Sequence, residues 1–230
     1  MRTYNRWLGL VVISMAISIV IIDGTIVNTI FPAIITDLSL TSTEVQWVQE
    51  SYVLVFAALL LIWGSLGDQI GRRRLLIIGI FIFIVSSVWA GQTESATDMI
   101  LARVVQGIGG SMVLPTTLSL VNANFQGKER GIAFGVWGAT IGGMVAAGPV
   151  LGGWLATDFS WRWAFLINLP IGILILIGLW LTVPESKAAT KSRLDVVGAA
   201  LSVVMFASLV FGLIEGRIYG CLLYTSPSPR

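Results

Sequence analysis

The sequence predicts an all-α membrane protein on three observations. Of its 230 residues 56% are hydrophobic and only 11% are charged, where a soluble domain carries about a quarter charged residues. Mean hydropathy is +0.88. The charges are also clustered, and they leave charge-free runs at 7–22, 24–36, 51–67, 75–93, 104–127, 131–157, 163–184 and 196–214. A spanning helix needs about 20 mostly apolar residues, and seven spans fit this pattern: 7–32, 45–66, 75–92, 99–121, 131–155, 163–182 and 195–214.

Span one starts after Arg6 and encloses a single charge, Asp23, among Thr25, Asn28 and Thr29. It lacks a short apolar core with a small-residue cleavage site, and similar segments follow it. It therefore reads as a span and not as a cleaved leader. Span two carries Glu50 near its outer end, where a carboxylate reaches water. The turn to span three reads GSLGDQIGRRRLL, residues 64–76, with Gly64, Gly67 and Gly71 around Asp68 and three arginines. Glycine suits a tight turn between helix ends. Asp68 is placed either to accept from helix-end amides or to pair with Arg72.

Span four carries Arg103, Gln106 and the glycines 107, 109 and 110. Span five repeats small residues at Gly131, Gly135, Gly138 and Gly142 and continues to Gly148, Gly152 and Gly153. This spacing predicts close helix approach, with a kink at Pro149. Span six, 163–182, is free of charge.

Lys and Arg collect on the cytoplasmic side of membrane proteins. With the N-terminus inside, that side holds Arg2, Arg6, Arg72, Arg73, Arg74, Lys128, Arg130, Lys187, Lys191 and Arg193, and the other side holds Arg162 alone before the end of span seven. The outer loops carry acids instead: Asp37, Glu44, Glu94, Asp98 and Asp158. The chain is thus expected to be multi-pass with a cytoplasmic N-terminus.

The chain has no histidine and one cysteine, Cys221. This excludes a His/Cys zinc site and a Ser-His or Cys-His catalytic pair within the chain. No phosphate-binding GxxxxGK[ST] loop is present. The basic residues form no aromatic-interleaved patch of the kind that binds nucleic acid. Neither an enzyme nor a cofactor or metal site is expected. An ionisable group at mid-membrane costs at least about 2.5–3.5 kcal/mol and usually faces a bundle interior or a water-filled cavity. Asp23 and Arg103 are therefore candidates for proton handling: desolvation raises a carboxyl pKa and a nearby cation lowers it. The alternative is a buried ion pair that only joins helices.

Beyond these readings, the chain resembles the major facilitator superfamily, in its drug:proton antiporter branch with fourteen spans. GSLGDQIGRRRLL resembles the loop motif G-x-L-x-D-x-x-G-R-[RK]-x, and LARVVQGIGG (101–110) the span-four motif R-x-x-Q-G. AAGPVLGG (146–153) resembles the antiporter motif G-P-x-x-G-G, IIDGTIVNTIFP (21–32) the span-one motif D-x-T-I-V-N-x-x-x-P, and WRWAFLINLPIG (161–172) a further motif of the branch.

The resemblance implies proton coupling by Asp23, Arg103 and Gln106, and a cytoplasmic gating loop of Gly64, Gly67, Asp68, Gly71 and Arg72. It implies an antiporter bend at Gly148, Pro149, Gly152 and Gly153, and makes Glu50 a candidate contact for substrate cations. Spans one and four are expected to line a cavity. The implied activity is proton-coupled export of drugs or other amphipathic or cationic small molecules across the bacterial inner (cytoplasmic) membrane. The proton gradient would supply the energy, with no cofactor. The implied partners are a small-molecule substrate, protons and the lipid bilayer, with no nucleic acid; a periplasmic adaptor is left open. The alternatives are a dedicated exporter of one natural product and, more remotely, a non-transporting assembly or sensor protein.

The expected organisation is a six-helix transporter half at 1–183 built of two three-helix repeats, a cytoplasmic linker at 184–194, a seventh span at 195–216 and a tail at 217–230. That tail, RIYGCLLYTSPSPR from Arg217 on, breaks the apolar pattern and reads as non-native. The chain reads as the N-terminal piece of a longer transporter whose second half is missing.

Overall fold

The computed structural model describes residues 5–187 and 196–215. The expectations for Arg2, Lys191 and Arg193, for residues 188–194 of the linker and for the tail 217–230 lie outside these residues. The helices are α1 (Arg6–Leu38), α2 (Ser42–Ile70), α3 (Arg72–Gly91), α4 (Ala96–Asn124), α5 (Gly127–Asp158), α6 (Trp163–Leu166), α7 (Asn168–Thr182) and α8 (Val196–Glu215). Among the described residues six segments are long and apolar enough to cross a membrane, with α6 and α7 together forming the sixth. Helix α8 occupies the position expected for span seven and packs on α2, where the rings of Phe211 and Trp47 lie 6.4 Å apart.

Helix ends are fixed by local chemistry. The Asn5 side chain accepts from the Trp7 and Leu8 amides to start α1, and Ser39 closes α1 in the left-handed region at φ 52°. Thr41 and Glu44 form a reciprocal capping box at the start of α2, satisfying two amides that a helix end leaves unpaired. Sixth-span residues that read as one run are broken between Leu166 and Asn168. Pro170 has no N–H to donate to the Leu166 carbonyl, so that rung of the ladder is missing at the break, although α1, α4 and α5 pass through Pro32, Pro115 and Pro149 without a break.

Helices α1, α3 and α4 are mostly buried, whereas α2 and α5 leave most of their surface uncovered. Two apolar clusters fill the bundle. One joins Leu10 to Val20 of α1 with Phe83, Leu120 and Ile175. The other joins Ile26 to Ile34 with Met99, Trp161 and Phe165. Asp23 sits in the gap between them along α1.

Glycine sets the helix separations. A Cβ on Gly109 of α4 would lie 2.7 Å from the Phe83 amide nitrogen and 2.8 Å from the Gly79 carbonyl oxygen of α3. A Cβ on Gly107 would lie 2.8 Å from the Tyr52 carbonyl oxygen of α2. On α5 the expectation from spacing holds only in part. Gly148 packs directly on Thr25 and Gly152 on Ile26 and Thr29, whereas a Cβ on Gly131, Gly135, Gly138 or Gly142 would meet nothing within 4 Å among the described residues. The regular spacing marked one face of α5, but the face that packs is another, which carries Ala133, Trp137 and Ile141 before Gly148 and Gly152.

Substituting Gly109 with Ala should destabilise the chain by about 1–3 kcal/mol, because the atoms it would meet are α3 backbone, which cannot yield. Gly138→Ala should instead raise stability by up to about 1 kcal/mol through helix propensity. Thermal unfolding in detergent compares the two.

Candidate functional site

The site forms where four helices meet between the two apolar clusters. Asp23 of α1 is 1% exposed and Arg103 of α4 is 2% exposed. Arg103 Nη1 lies 2.8 Å from Asp23 Oδ2. Gln106, one turn along α4, donates from Nε2 to Asp23 Oδ1 at 2.9 Å and to Ser87 Oγ of α3 at 2.7 Å, while its Oε1 accepts from Arg103 Nη1 at 2.6 Å. Asn168, the first residue of α7, donates to the same Asp23 Oδ1 and to Ser87 Oγ, both at 3.0 Å. The Arg103 guanidinium lies 4.2 Å from the centre of the Tyr52 ring, within cation–π range. Its Nε is buried without a hydrogen-bond partner among the described residues.

Isolated ions would not survive here: desolvation costs several kcal/mol per ion, offset only by close pairing and further hydrogen bonds. The Asp23 carboxylate has both, since it accepts one charged and two amide donors. The sequence brought Asp23, Arg103 and Gln106 forward, and all three meet. It did not bring forward Ser87, Asn168 or Tyr52. Asn168 carried a signal, being the one strongly polar side chain within the apolar stretch 163–182.

The expectation that spans one and four line a cavity with these charges needs correction. Both side chains are sealed inside the bundle by α2, α3 and α7. An open groove of about 400 Å³ runs along α1, but it is lined from Val11 to Ile22 together with Val136, Thr140 and Met144 of α5 and Ile171 of α7. Helix α4 is absent from its lining.

In the turn between α2 and α3, Asp68 pairs with Arg72, with both Nε and Nη2 at 2.8 Å from Oδ1. Of the two placements open in the sequence, the pairing with arginine is the one formed. The helix-end amides go to a residue that the sequence did not point out. Glu185, just after α7, accepts from the Arg73 amide at 3.0 Å and the Arg74 amide at 3.2 Å, capping α3 from across the bundle. Arg72 N donates to the Ser186 carbonyl at 3.0 Å and Arg73 Nη1 to the Val183 carbonyl at 3.0 Å. Gly71 adopts φ 126°, and a Cβ there would lie 2.7 Å from the Glu185 carboxylate, so only glycine fits. Gly67 packs on Leu75 and Thr116, and Gly64 approaches Pro115. A lone acid facing three arginines was the available signal for Glu185, but the two are about 110 residues apart in sequence.

Glu50 is half-buried on α2 and makes no ion pair or hydrogen bond among the described residues. Its neighbour Gln49 bonds Asn28 of α1 at 3.0 Å. At the antiporter motif, α5 runs unbroken through Pro149. Gly148 and Gly152 press on α1 one and two turns beyond Asp23, whereas Gly153 faces open space.

At the end of the bundle opposite the start of α1, Arg162 joins three segments. It pairs with Asp37 at the end of α1, its Nη2 donates to the Thr93 carbonyl at 3.1 Å, and its guanidinium covers the Trp161 ring at 4.4 Å. The Trp161 indole N–H also donates to Asp37. These bonds from Arg162, then Trp161, hold the Asp37 carboxyl below its ordinary range.

This geometry stands beside three comparisons. The Major Facilitator Superfamily model matches residues 13–227, and the chain belongs to that superfamily, a family of membrane transporters. The chain is 38% identical to the puromycin resistance protein of Streptomyces alboniger, over 93% of this chain and 42% of that protein. It is 37% identical to a probable actinorhodin transporter of Streptomyces coelicolor, over 94% of this chain and 38% of that one. The chain therefore spans about two fifths of the length of these relatives. The fold also matches the crystal structure of a bacterial homologue of the human lysosomal transporter Spinster in an inward-facing, unoccupied conformation. The TM-score is 0.68 at 21% identity, over 83% of this chain and 46% of that one. The fold is that of the N-terminal half of such a transporter.

Because the Asp37 pKa is lowered on folding, its contribution to stability is present above the unfolded carboxyl value and is lost as pH falls through the lower folded value. The Tm difference between the native chain and Asp37→Asn should therefore be constant near neutral pH and vanish in strong acid. Thermal unfolding across that range measures it.

Proposed function

We propose that this chain is the N-terminal part of a proton-coupled exporter of drugs or other amphipathic, cationic small molecules. In this reading the longer protein sits in the bacterial cytoplasmic membrane with its N-terminus inside, and belongs to the fourteen-span drug:proton branch. Substrate, protons and lipid are its partners. The observation that carries the reading is the buried Asp23–Arg103 pair within a cradle of amides. A carboxylate in this position binds a proton when its cation is withdrawn and releases it when the cation returns, which is the exchange an antiporter needs. The names of the two relatives add support for an antibiotic-type substrate.

In this reading Asp68, Arg72 and the glycines around them gate the cytoplasmic side. Gly148, Pro149, Gly152 and Gly153 form the antiporter bend beside the proton site. Glu50 offers an unpaired carboxylate to a cation. A dedicated exporter of one natural product is the second reading, favoured by the similarity to a probable actinorhodin transporter.

Two experiments test this on the full-length protein in proteoliposomes. With Asp23→Asn, proton flux driven by ethidium should fall to background; persistence of the flux would remove Asp23 from coupling. With Glu50→Gln, ethidium transport should fall about tenfold, equivalent to about 1.4 kcal/mol, while transport of a neutral substrate is unchanged. Equal losses for both substrates would assign Glu50 a structural role.

A further inference from the structure

We propose that Asn168 is a positioning residue that holds Asp23 ionised, and that a turn of its amide is what lets the carboxylate keep a proton. This deepens the reading of Asp23 as the proton-coupling acid and rests on it.

Asn168 is 1% exposed at the start of α7, directly after the break from α6. Every hydrogen-bond partner of the Asp23 carboxylate is a donor: Arg103 Nη1 on Oδ2, and Gln106 Nε2 and Asn168 Nδ2 on Oδ1. A protonated carboxyl needs an acceptor for its O–H, and this arrangement presents none. Proton uptake therefore requires one of the three to turn or leave.

The three are not equally free to do so. Arg103 has no acceptor to offer. The Gln106 amide is locked in its orientation because its Oε1 accepts from the Arg103 guanidinium at 2.6 Å. The Asn168 amide has no charged tether of that kind, being held by the neutral Ser87 hydroxyl and by Asp23 itself. Half a turn about its terminal bond exchanges Nδ2 for Oδ1, which then accepts the Asp23 O–H. The proton comes from water and stays on Asp23; the turn breaks the Nδ2 bonds to Asp23 and Ser87, Oδ1 gains the bond from the Asp23 O–H, and Ser87 keeps its bond from Gln106.

The remaining surroundings do not supply an alternative. The charged and titratable groups facing Asp23 are Arg103 of α4 and, beyond it, the Tyr52 phenol of α2. From α3 comes Ser87 and from α7 Asn168 itself. Helix α5, packed along α1, carries charge only near its ends at Lys128, Glu129, Arg130 and Asp158.

The test is an infrared pH titration of the purified full-length protein, following the protonated-carboxyl band that Asp23→Asn removes. Asn168→Ala takes away a donor to the charged form and should raise the midpoint of that band by about one pH unit. Asn168→Asp keeps the shape of the side chain, and therefore the packing, and places a second acid beside the first. It should raise the midpoint further. An unchanged midpoint in a folded Asn168→Asp variant overturns the proposal and leaves Asn168 as a tie between helices. Ethidium-driven proton flux is read separately. If Asp23→Asn retains that flux while the infrared midpoint shifts as expected, the coupling role fails and the hold of Asn168 on Asp23 stands.

Discussion

The ion pair between Asp23 and Arg103 is the constraint around which this bundle is arranged. Two charges taken out of water demand partners on every side, and those partners come from four separate helices: α1 and α4 supply the pair and Gln106, α3 supplies Ser87, and α7 supplies Asn168. The apolar clusters above and below fill space between any greasy helices of the right shape. The polar layer is particular, because each donor must reach one carboxylate. It fixes the rotation and height of α1, α3, α4 and α7 relative to one another, where apolar contacts alone tolerate slippage.

That layer needs short distances between helix axes, and glycine supplies them on the faces around it. Gly107 and Gly109 lie within one turn of Gln106 and let α2 and α3 approach α4 to backbone contact. Gly148 and Gly152 do the same for α5 against α1, at Thr25 and Thr29 just beyond Asp23. In a lipid environment apolar side chains gain little by leaving the tails, so close backbone approach and hydrogen bonds carry helix association. The two motifs that looked separate in sequence, the span-four arginine motif and the span-five glycine motif, thus act on opposite flanks of α1.

Much of this was legible in the sequence. Charge-free runs located the spans because hydrocarbon penalises charge uniformly, whatever the tertiary contacts. The cost of burying Asp23 and Arg103 marked them for the same reason. What the sequence hid depended on distance along the chain. Nothing local shows that Asn168 reaches Asp23, or that Glu185 sits on the amides of Arg73 and Arg74. The glycines of α5 misled in their first half because periodicity identifies a face, not whether a neighbour covers it. The sealed position of the ion pair was hidden too, since a charge facing water and a charge facing a partner look alike in one dimension.

The hold of Glu185 on α3 has a mechanical meaning. Residues 183–186 are tied to the start of α3 by backbone and side-chain bonds at Arg72, Arg73 and Arg74. The end of the sixth span is therefore stapled to the turn that joins the second to the third. A bundle cross-linked in this way transmits torque as one piece. Any segment that continues beyond Ser186 pulls on an anchored point of the whole bundle and not on the frayed end of one helix.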